Sequence, residues 1–376
     1  MPRTYRLGVI GFAHMHVNEL VRAFADLPNV EWVACADTVP SRPELVEARF
    51  TRGWNLRHAH ETIGIPTVYE DYREMLDREK CDLVIFCPEN ARHGEIAEAI
   101  AVHGSHMLTE KPMAASLPEA LRMVRAAEAH GVELFVNWPS TWWPGARKAK
   151  DLLEAGAIGD LWEVKWRAGS LGPLAHGSTH PGVEGTAVEM SPREKAATWW
   201  HHADTGGGAL LDYCSYGACL ARWYVGQPAV AAFGMKANLA SQFGDAEDNA
   251  IITVRFPQAV AIFEATWSCV DHGVPTGPIL YGNRGTLVVE SRGSRERVTL
   301  IQGKGGEAQD ILGDPLPPGR RTIAEEIIHH FETGDPVHPT LAASFNLDAQ
   351  AILDAGARSA SSGKLELVND LSWCIG

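Results

Sequence analysis

Residues 5–137 alternate short apolar runs with segments of helical periodicity, and this alternation constrains the fold more than any other feature of the chain. The runs at 5–10, 30–36, 82–87, 106–109 and 132–137 read as strands, and the run at 82–87 is a continuous apolar stretch, as a strand buried on both faces requires. Helical segments stand between successive runs, so the spacing predicts an α/β fold with a doubly wound parallel sheet.

The first unit carries a ligand signature. After the strand 5–10 come Gly11-Phe12-Ala13-His14-Met15-His16, a helix to about Asp26, a strand from Val30 to Ala36, and Asp37. Strand, glycine turn, helix, strand and acid form the layout of a dinucleotide-binding unit. Asp37 stands where an acid binds adenosine ribose hydroxyls. Its charge would repel a 2′-phosphate, which favours NAD over NADP. Of the three glycines of the full fingerprint only Gly11 is present. Ala13 holds the position of closest approach to pyrophosphate, and His16 that of close helix–strand packing. His14 and His16 read either as donors to phosphate oxygens or a cofactor-side polar cluster, or as residues tiling an exposed first turn. No third ligand lies at metal spacing.

Two further strand ends face the same crevice, since ligands of such sheets bind at the carboxyl ends of strands. The run 82–87 is closed by Pro88-Glu89-Asn90-Ala91-Arg92-His93 and a helix to about His103, whose first amides suit a polar or anionic ligand. Pro88, Asn90 and His93 are therefore candidate cofactor contacts; helix capping is the alternative for Asn90 and His93. The next run ends in Glu110-Lys111-Pro112, where the acid can hold the ammonium and the proline fixes the backbone. Lys111 is thus a candidate for chemistry as well as cofactor binding, against the plainer reading of a salt-bridged surface turn.

The pattern switches near Trp138-Pro139, and 376 residues exceed one typical core, so two domains are expected, 1–138 and 139–376. Strand candidates in the second are 162–167, 229–235, 249–256, 259–268, 279–281, 286–289 and 297–300; helices are expected at 145–154, 210–224, 323–332 and 341–361. Residues 169–198 form an irregular Gly/Pro/His stretch, read as a substrate-side lid or an oligomer arm. After it lies Trp199-Trp200-His201-His202-Ala203-Asp204-Thr205-Gly206-Gly207-Gly208, leading into the helix that carries Asp212 and Tyr216. Four residues apart, these two share a helical face. Lys111 beside Tyr216 would favour the phenolate, and such a pair can exchange a hydroxyl proton as hydride leaves the same carbon, with Asp212 as orienter. Without Lys111, Tyr216 reads as an ordinary core tyrosine. Trp142, Trp143, Trp199 and Trp200 near the cleft read either as core filling, the commoner use of aromatic pairs, or as faces on which a substrate ring could stack.

Composition excludes several classes. The net charge of −14 disfavours nucleic acid and anionic membrane surfaces, and no apolar run approaches bilayer length. The first strand begins at Tyr5, which leaves no room for a cleavable signal peptide. Seven cysteines without a Cys-x-x-Cys pair fit reduced thiols and a cytoplasmic protein. His58-x-His60 and His329-His330 read as surface histidines.

Taken together, Gly8-Val-Ile-Gly11, Asp37, Pro88-Glu-Asn90-Ala-Arg-His93, Glu110-Lys111-Pro112 and Gly206-Gly-Gly-Ala-Leu-Leu-Asp212-x-x-x-Tyr216 resemble the Gfo/Idh/MocA oxidoreductases. The resemblance continues through Gly285-Thr-Leu287 and the Gly334-Asp-Pro-Val-His-Pro and Asn346-Leu-Asp-Ala-Gln-Ala stretches. It implies an N-terminal Rossmann domain, a C-terminal α/β domain with a large open, predominantly antiparallel mixed sheet, and homodimers or homotetramers built through that sheet. It also implies hydride transfer between NAD and a secondary alcohol or ketone of a sugar, glycoside or cyclitol, with the lysine of Glu-Lys-Pro at the reacting carbon. Most members carry histidine where Tyr216 stands, so this chain is similar to the lysine–tyrosine branches, glucose–fructose oxidoreductase and dihydrodiol dehydrogenase. Two other readings stay open: NAD-assisted glycoside cleavage through transient oxidation and elimination, and a non-catalytic sensor or scaffold, suggested by the altered glycine turn.

Overall fold

Residues 3–241, 243–289 and 295–368 are described by the computed structural model. The five apolar runs of the first half become β1 (Tyr5–Phe12), β2 (Val30–Ala36), β4 (Leu83–Cys87), β5 (His106–Glu110) and β6 (Leu134–Asn137), and the two-residue β3 (Val68–Tyr69) adds at the edge, in the order β3-β2-β1-β4-β5-β6. All pair in parallel. Every residue of β4 is buried, which is why its sequence is apolar throughout. The strand order reverses between β1 and β4, so the crevice outside their carboxyl ends is the switch point of the sheet. The helix Val17–Ala25 leaves that crevice and buries Val17, Leu20, Val21 and Phe24, one stripe at helical spacing.

Gly11 makes the turn possible. Its φ is +79°, and a Cβ there would lie 2.6 Å from the Pro88 nitrogen, so only glycine lets β1 pass so close to the end of β4. The segment after Asp37 begins without regular structure. Residues 38–51, with Pro40 and Pro43 among them, are irregular, and the helix Arg52–Arg57 continues as a wider turn over His58–Ile63.

The second sheet has nine strands. They are β7 (Leu161–Gly169), β8 (Ala231–Ala237), β9 (Asn249–Arg255), β10 (Val260–Thr266), β11 (Ile279–Gly282), β12 (Gly285–Val289), β13 (Arg297–Gln302), β14 (Ala308–Leu312) and β15 (Glu366–Leu367), ordered β14-β13-β12-β11-β7-β10-β9-β8-β15. Only β7 and β10 pair in parallel. The two strands absent from the sequence reading, β14 and β15, are the sheet edges and are mostly exposed, so no apolar alternation announces them. Strands β8, β9 and β10 bury Ala232, Ile252 and Phe263 on one face. Phe233, Met235, Ile251 and Val260 stand exposed on the other.

The chain then returns to the first domain. The helix Ile323–Thr333 seats Ile323, Ala324, Ile327 and Ile328 in one core with Tyr5, Val9 and Phe135. The helix Ala343–Ser362 spans the join: Gln350 accepts from the Ala114 amide and Asp354 from the Leu117 amide. Among the described residues no helix is long and apolar enough to cross a membrane.

Candidate active site

Lys111 follows directly on β5, and its side chain is 2% exposed. Its ammonium donates to Asp212 Oδ1 at 2.7 Å and to the Asp212 carbonyl at 3.3 Å. The other carboxylate oxygen, Oδ2, accepts from the Trp267 indole at 3.0 Å. Asp212 lies in a wide turn, Leu210–Cys214, that precedes the helix Ser215–Val225; such local widening re-aims a side chain without ending the helix. Three glycines let the approach to that turn fold tightly. At Gly208, φ is +109° and a Cβ would meet the Glu247 carboxylate at 2.3 Å; that carboxylate in turn accepts from the Leu210 amide at 3.1 Å.

Lys111 and Asp212 line a cavity of about 270 Å³ together with His14, His16, His180 and Tyr216. Tyr213, Trp200, Ser170 and the Ser178–Thr179 pair complete its wall. Lys111 and Tyr216 do meet, but through the ring face: the ammonium lies 5.0 Å from the ring centroid. That ring stacks on Trp166 at 5.6 Å and on Trp143 at 6.4 Å, with Trp138 edge-on at 5.7 Å. Burial, then Glu110 and Asp212, push the phenol well above its usual value. The expectation that Lys111 favours the phenolate is corrected accordingly: desolvation outweighs the nearby ammonium.

Of the two turn histidines, His14 is inside and His16 is partly buried, its side chain 15% exposed. His14 is 1% exposed, and its Nδ1 accepts the His16 amide at 3.2 Å. His16 Nδ1 lies 3.2 Å from Glu110 Oε2. Of the four tryptophans proposed for stacking, Trp200 alone lines this cavity; Trp199 stacks on it at 4.0 Å and donates to the Ala13 carbonyl at 2.9 Å. Trp142 bonds Asn137, and Trp143 lies between Tyr216 and Arg295. His180, Tyr213 and Trp267 were not singled out from the sequence. His180 sits in the Gly/Pro/His stretch whose irregularity was the available signal.

At the cofactor crevice the structure sorts the remaining candidates. Asp37 Oδ1 accepts from the Phe12 amide at 3.0 Å, the Thr38 amide at 2.8 Å and Arg52 at 2.7 Å. Arg52 also pairs with Glu89 at 2.5 Å, which makes a buried Asp37–Arg52–Glu89 chain the sequence did not suggest. Burial raises the Asp37 carboxyl despite the opposing pull of Arg52. Asn90 donates to the Gly206 carbonyl at 2.8 Å and so ties the crevice to the second domain. His93 is fully buried with Nδ1 2.9 Å from the Met113 carbonyl, and burial lowers it to about 4. Pro88 packs beneath Gly11. Buried polar atoms along this edge, among them His14 Nε2, Glu89 Oε2, Asn90 Oδ1 and His93 Nε2, have no hydrogen-bond partner. Buried polar atoms rarely stay unpaired, so their concentration at the switch point, beside the Gly11 turn, fits a polar ligand such as a dinucleotide. The described residues contain no cluster of three or more His, Cys, Asp or Glu placed to hold a metal ion.

A parallel sheet of dinucleotide-binding order, joined to an open mixed sheet with a buried lysine between them, defines a two-domain nucleotide-linked oxidoreductase architecture. Residues 5–138 match the oxidoreductase family with NAD-binding Rossmann fold, and residues 146–288 match the GFO/IDH/MocA C-terminal domain. The chain belongs to the Gfo/Idh/MocA oxidoreductase family. It is similar to the dTDP-3,4-didehydro-2,6-dideoxy-alpha-D-glucose 3-reductase of Streptomyces violaceoruber, 30% identical over 60% of this chain and 55% of that one. It thus spans about half the length of that relative. Myo-inositol 2-dehydrogenase of Thermotoga maritima is 23% identical over 75% of this chain and 78% of its own. The fold is shared with aldose–aldose oxidoreductase from Caulobacter crescentus, with a TM-score of 0.74 at 21% identity, covering 97% of this chain and 100% of the other.

Proposed function

We propose that this protein is an NAD-dependent oxidoreductase that moves a hydride between nicotinamide and a secondary alcohol or ketone carbon of a sugar, glycoside or cyclitol. The observation that carries the reading is the Lys111–Asp212 pair, 2.7 Å apart in the wall of a polar cavity beside the switch point. The relatives add weight, since their names specify a sugar-nucleotide reductase and an inositol dehydrogenase. A cavity of about 270 Å³ sits at the small end of ligand sites, which run to about 300–1,000 Å³. It suits one sugar-sized ring.

The residues would divide the work as follows. Gly11, Phe12 and Ala13 would hold the pyrophosphate, since the glycine turn brings backbone to the switch point; the first amides of the helix Val17–Ala25 are already bonded to the carbonyls of His14, Met15 and His16. Asp37, with the Asp37–Arg52–Glu89 chain carrying a net charge of about −1 by formal count, favours an unphosphorylated ribose and hence NAD over NADP. Bound there, nicotinamide supplies the hydride acceptor. Lys111 donates to the substrate oxygen and stabilises negative charge on it, while Asp212 fixes the ammonium from one side. Trp267 fixes Asp212 from the other. Tyr216, its phenol kept protonated, offers a donor to the same oxygen. The exposed apolar face of β8, β9 and β10 suits self-association into homodimers or homotetramers, and the buried, unpaired thiols suit a cytoplasmic protein.

Screening sugars, glycosides and inositols with NAD by absorbance of the reduced nicotinamide tests the proposal. Turnover with at least one, lost in Lys111→Met, is the expected result. Release of an aglycone without accumulating NADH would instead favour oxidation followed by elimination. Failure of NAD and NADP to bind at millimolar concentration would remove the oxidoreductase reading altogether.

A further inference from the structure

The oxidoreductase reading leaves open which group accepts the proton that the substrate hydroxyl gives up. Tyr216 is held protonated by burial and by the carboxylates of Glu110 and Asp212. Three imidazoles share the cavity with it: His14, His16 and His180.

Their surroundings separate them. His14 Nδ1 accepts the His16 amide, so its proton sits on Nε2; burial, then His16 and Lys111, lower it well below the usual imidazole range. His180 packs edge-on against Phe50 at 4.8 Å, and burial, then His16, lower it to about 3. Neither has a carboxylate within hydrogen-bond distance. His16 has one: Glu110 Oε2 is 3.2 Å from its Nδ1. Glu110 cannot swing away, because its other oxygen accepts from Asn137 at 2.6 Å and the residue is fully buried. A fixed carboxylate at Nδ1 sets the imidazole tautomer and leaves Nε2 as the lone-pair nitrogen.

We infer that His16, positioned by Glu110, takes the hydroxyl proton of the substrate during oxidation and returns it during carbonyl reduction. This rests on the oxidoreductase reading. In the oxidative direction the O–H bond breaks and its electron pair becomes the second C–O bond. Hydride leaves the same carbon for oxidised nicotinamide, and the proton ends on His16 and then in solvent. The groups facing His16 are Glu19 on its own helix, His14 in the turn, Glu110 and Lys111 at the end of β5, His180 in the irregular stretch and Asp212 in the second domain. Glu19 is raised to about 7 by burial and then Glu110, so it is about half ionised in neutral solution and its own titration, which Glu19→Gln removes, falls inside the assay range.

The test compares His16→Gln, Glu110→Gln and Tyr216→Phe in the full chain, with NAD and the best substrate of the panel, from about pH 5.5 to 10. His16→Gln lowers kcat by about 10²–10⁴-fold, the usual worth of general acid–base catalysis, and abolishes the ionisation in the kcat profile. Its affinity for NAD stays within about threefold of the parent. Tyr216→Phe keeps that ionisation, and Glu110→Gln moves it. A His16→Gln enzyme with an unchanged profile, or an ionisation that vanishes in Tyr216→Phe instead, overturns the assignment. Proton NMR of the histidine rings provides an arm free of turnover. The ring signal lost in His16→Gln is the one displaced by Glu110→Gln; displacement of the His14 or His180 signal instead refutes the pair. If the parent turns over no member of the panel, the oxidoreductase reading suffers, while the NMR arm still decides whether Glu110 governs His16.

Discussion

Replacing Arg52 by methionine isolates one electrostatic commitment of this fold. Arg52 is 6% exposed and contacts Asp37 at 2.7 Å and Glu89 at 2.5 Å, at the carboxyl ends of β2 and β4. Methionine keeps the packing of the stem but leaves two carboxylates without their cation. Asp37 retains the Phe12 and Thr38 amides, so Glu89, 1% exposed, bears most of the cost. Removing one partner of a buried ion pair costs about 3–5 kcal/mol. The loss should also depend on pH. Burial already raises Asp37 above its unfolded value of about 4, and without the pull of Arg52 it rises further, so its share of the penalty is present at pH values above the raised pKa and fades as pH falls through it. Urea unfolding of parent and variant at pH 8 and at pH 5.5 measures the gap, which should narrow at the lower pH. Adding Glu89→Gln to Arg52→Met should restore much of it. A gap below about 1 kcal/mol at pH 8, or one equal at both pH values, would show that uncompensated charge is not the cause.

Lys111→Met should lower kcat by about 10³-fold, on the scale of lost acid–base and charge stabilisation, while near-native circular dichroism persists because Asp212 keeps its Trp267 donor; steady-state rates at saturating NAD decide it. Gly11→Ala should cost at least about 1–2 kcal/mol from the left-handed backbone alone, before the clash with Pro88, and a thermal melt unchanged from the parent would refute the turn argument. Asp37→Asn should weaken NAD more than NADP in calorimetric titrations; an unchanged ratio would remove Asp37 from ribose recognition. Glu19 is raised to about 7 by burial, so its contribution to stability is present below the unfolded value and lost as pH rises through about 7. Glu19→Gln should therefore stabilise the protein at pH 8.5 by about 1 kcal/mol or more but not at pH 5.

The sheet order, the crevice and Lys111 at the end of β5 were legible because each rests on local pattern: apolar runs, a turn glycine, a strand closed by Glu-Lys-Pro. Arg52 was not legible. It lies in a charge-rich segment where nothing local marks it, and its partners are 15 and 37 residues away in the chain. The same holds for Trp267, which reads as a strand end until the wide turn at Leu210–Cys214 brings Asp212 to its indole. The Tyr216 ring lies 5.0 Å from the Lys111 ammonium, and spacing on one helix could not reveal that Trp138, Trp143 and Trp166 enclose it.

His16 shows why a departure from a motif carries information that a match does not. At the third glycine position a side chain has to go somewhere, and packing against the sheet leaves it the space beside Glu110. Accommodating it takes more than the turn itself. Trp199 of the second domain bonds the Ala13 carbonyl within the turn, while Asn90–Gly206 and Arg42–Asp204 tie the neighbouring loops after β4 and β2 to the same domain. A turn weakened by lost glycines and left alone would be expected to fray, because its close approach to β4 would lack support. Held this way, it presents an imidazole to the cavity from the nucleotide-binding domain, while Asp212 reaches in from the other. The substitution and this support therefore act together, and Trp199→Phe, which removes the indole donor to Ala13, should displace the His16 ring signal in proton NMR before it alters turnover through Lys111.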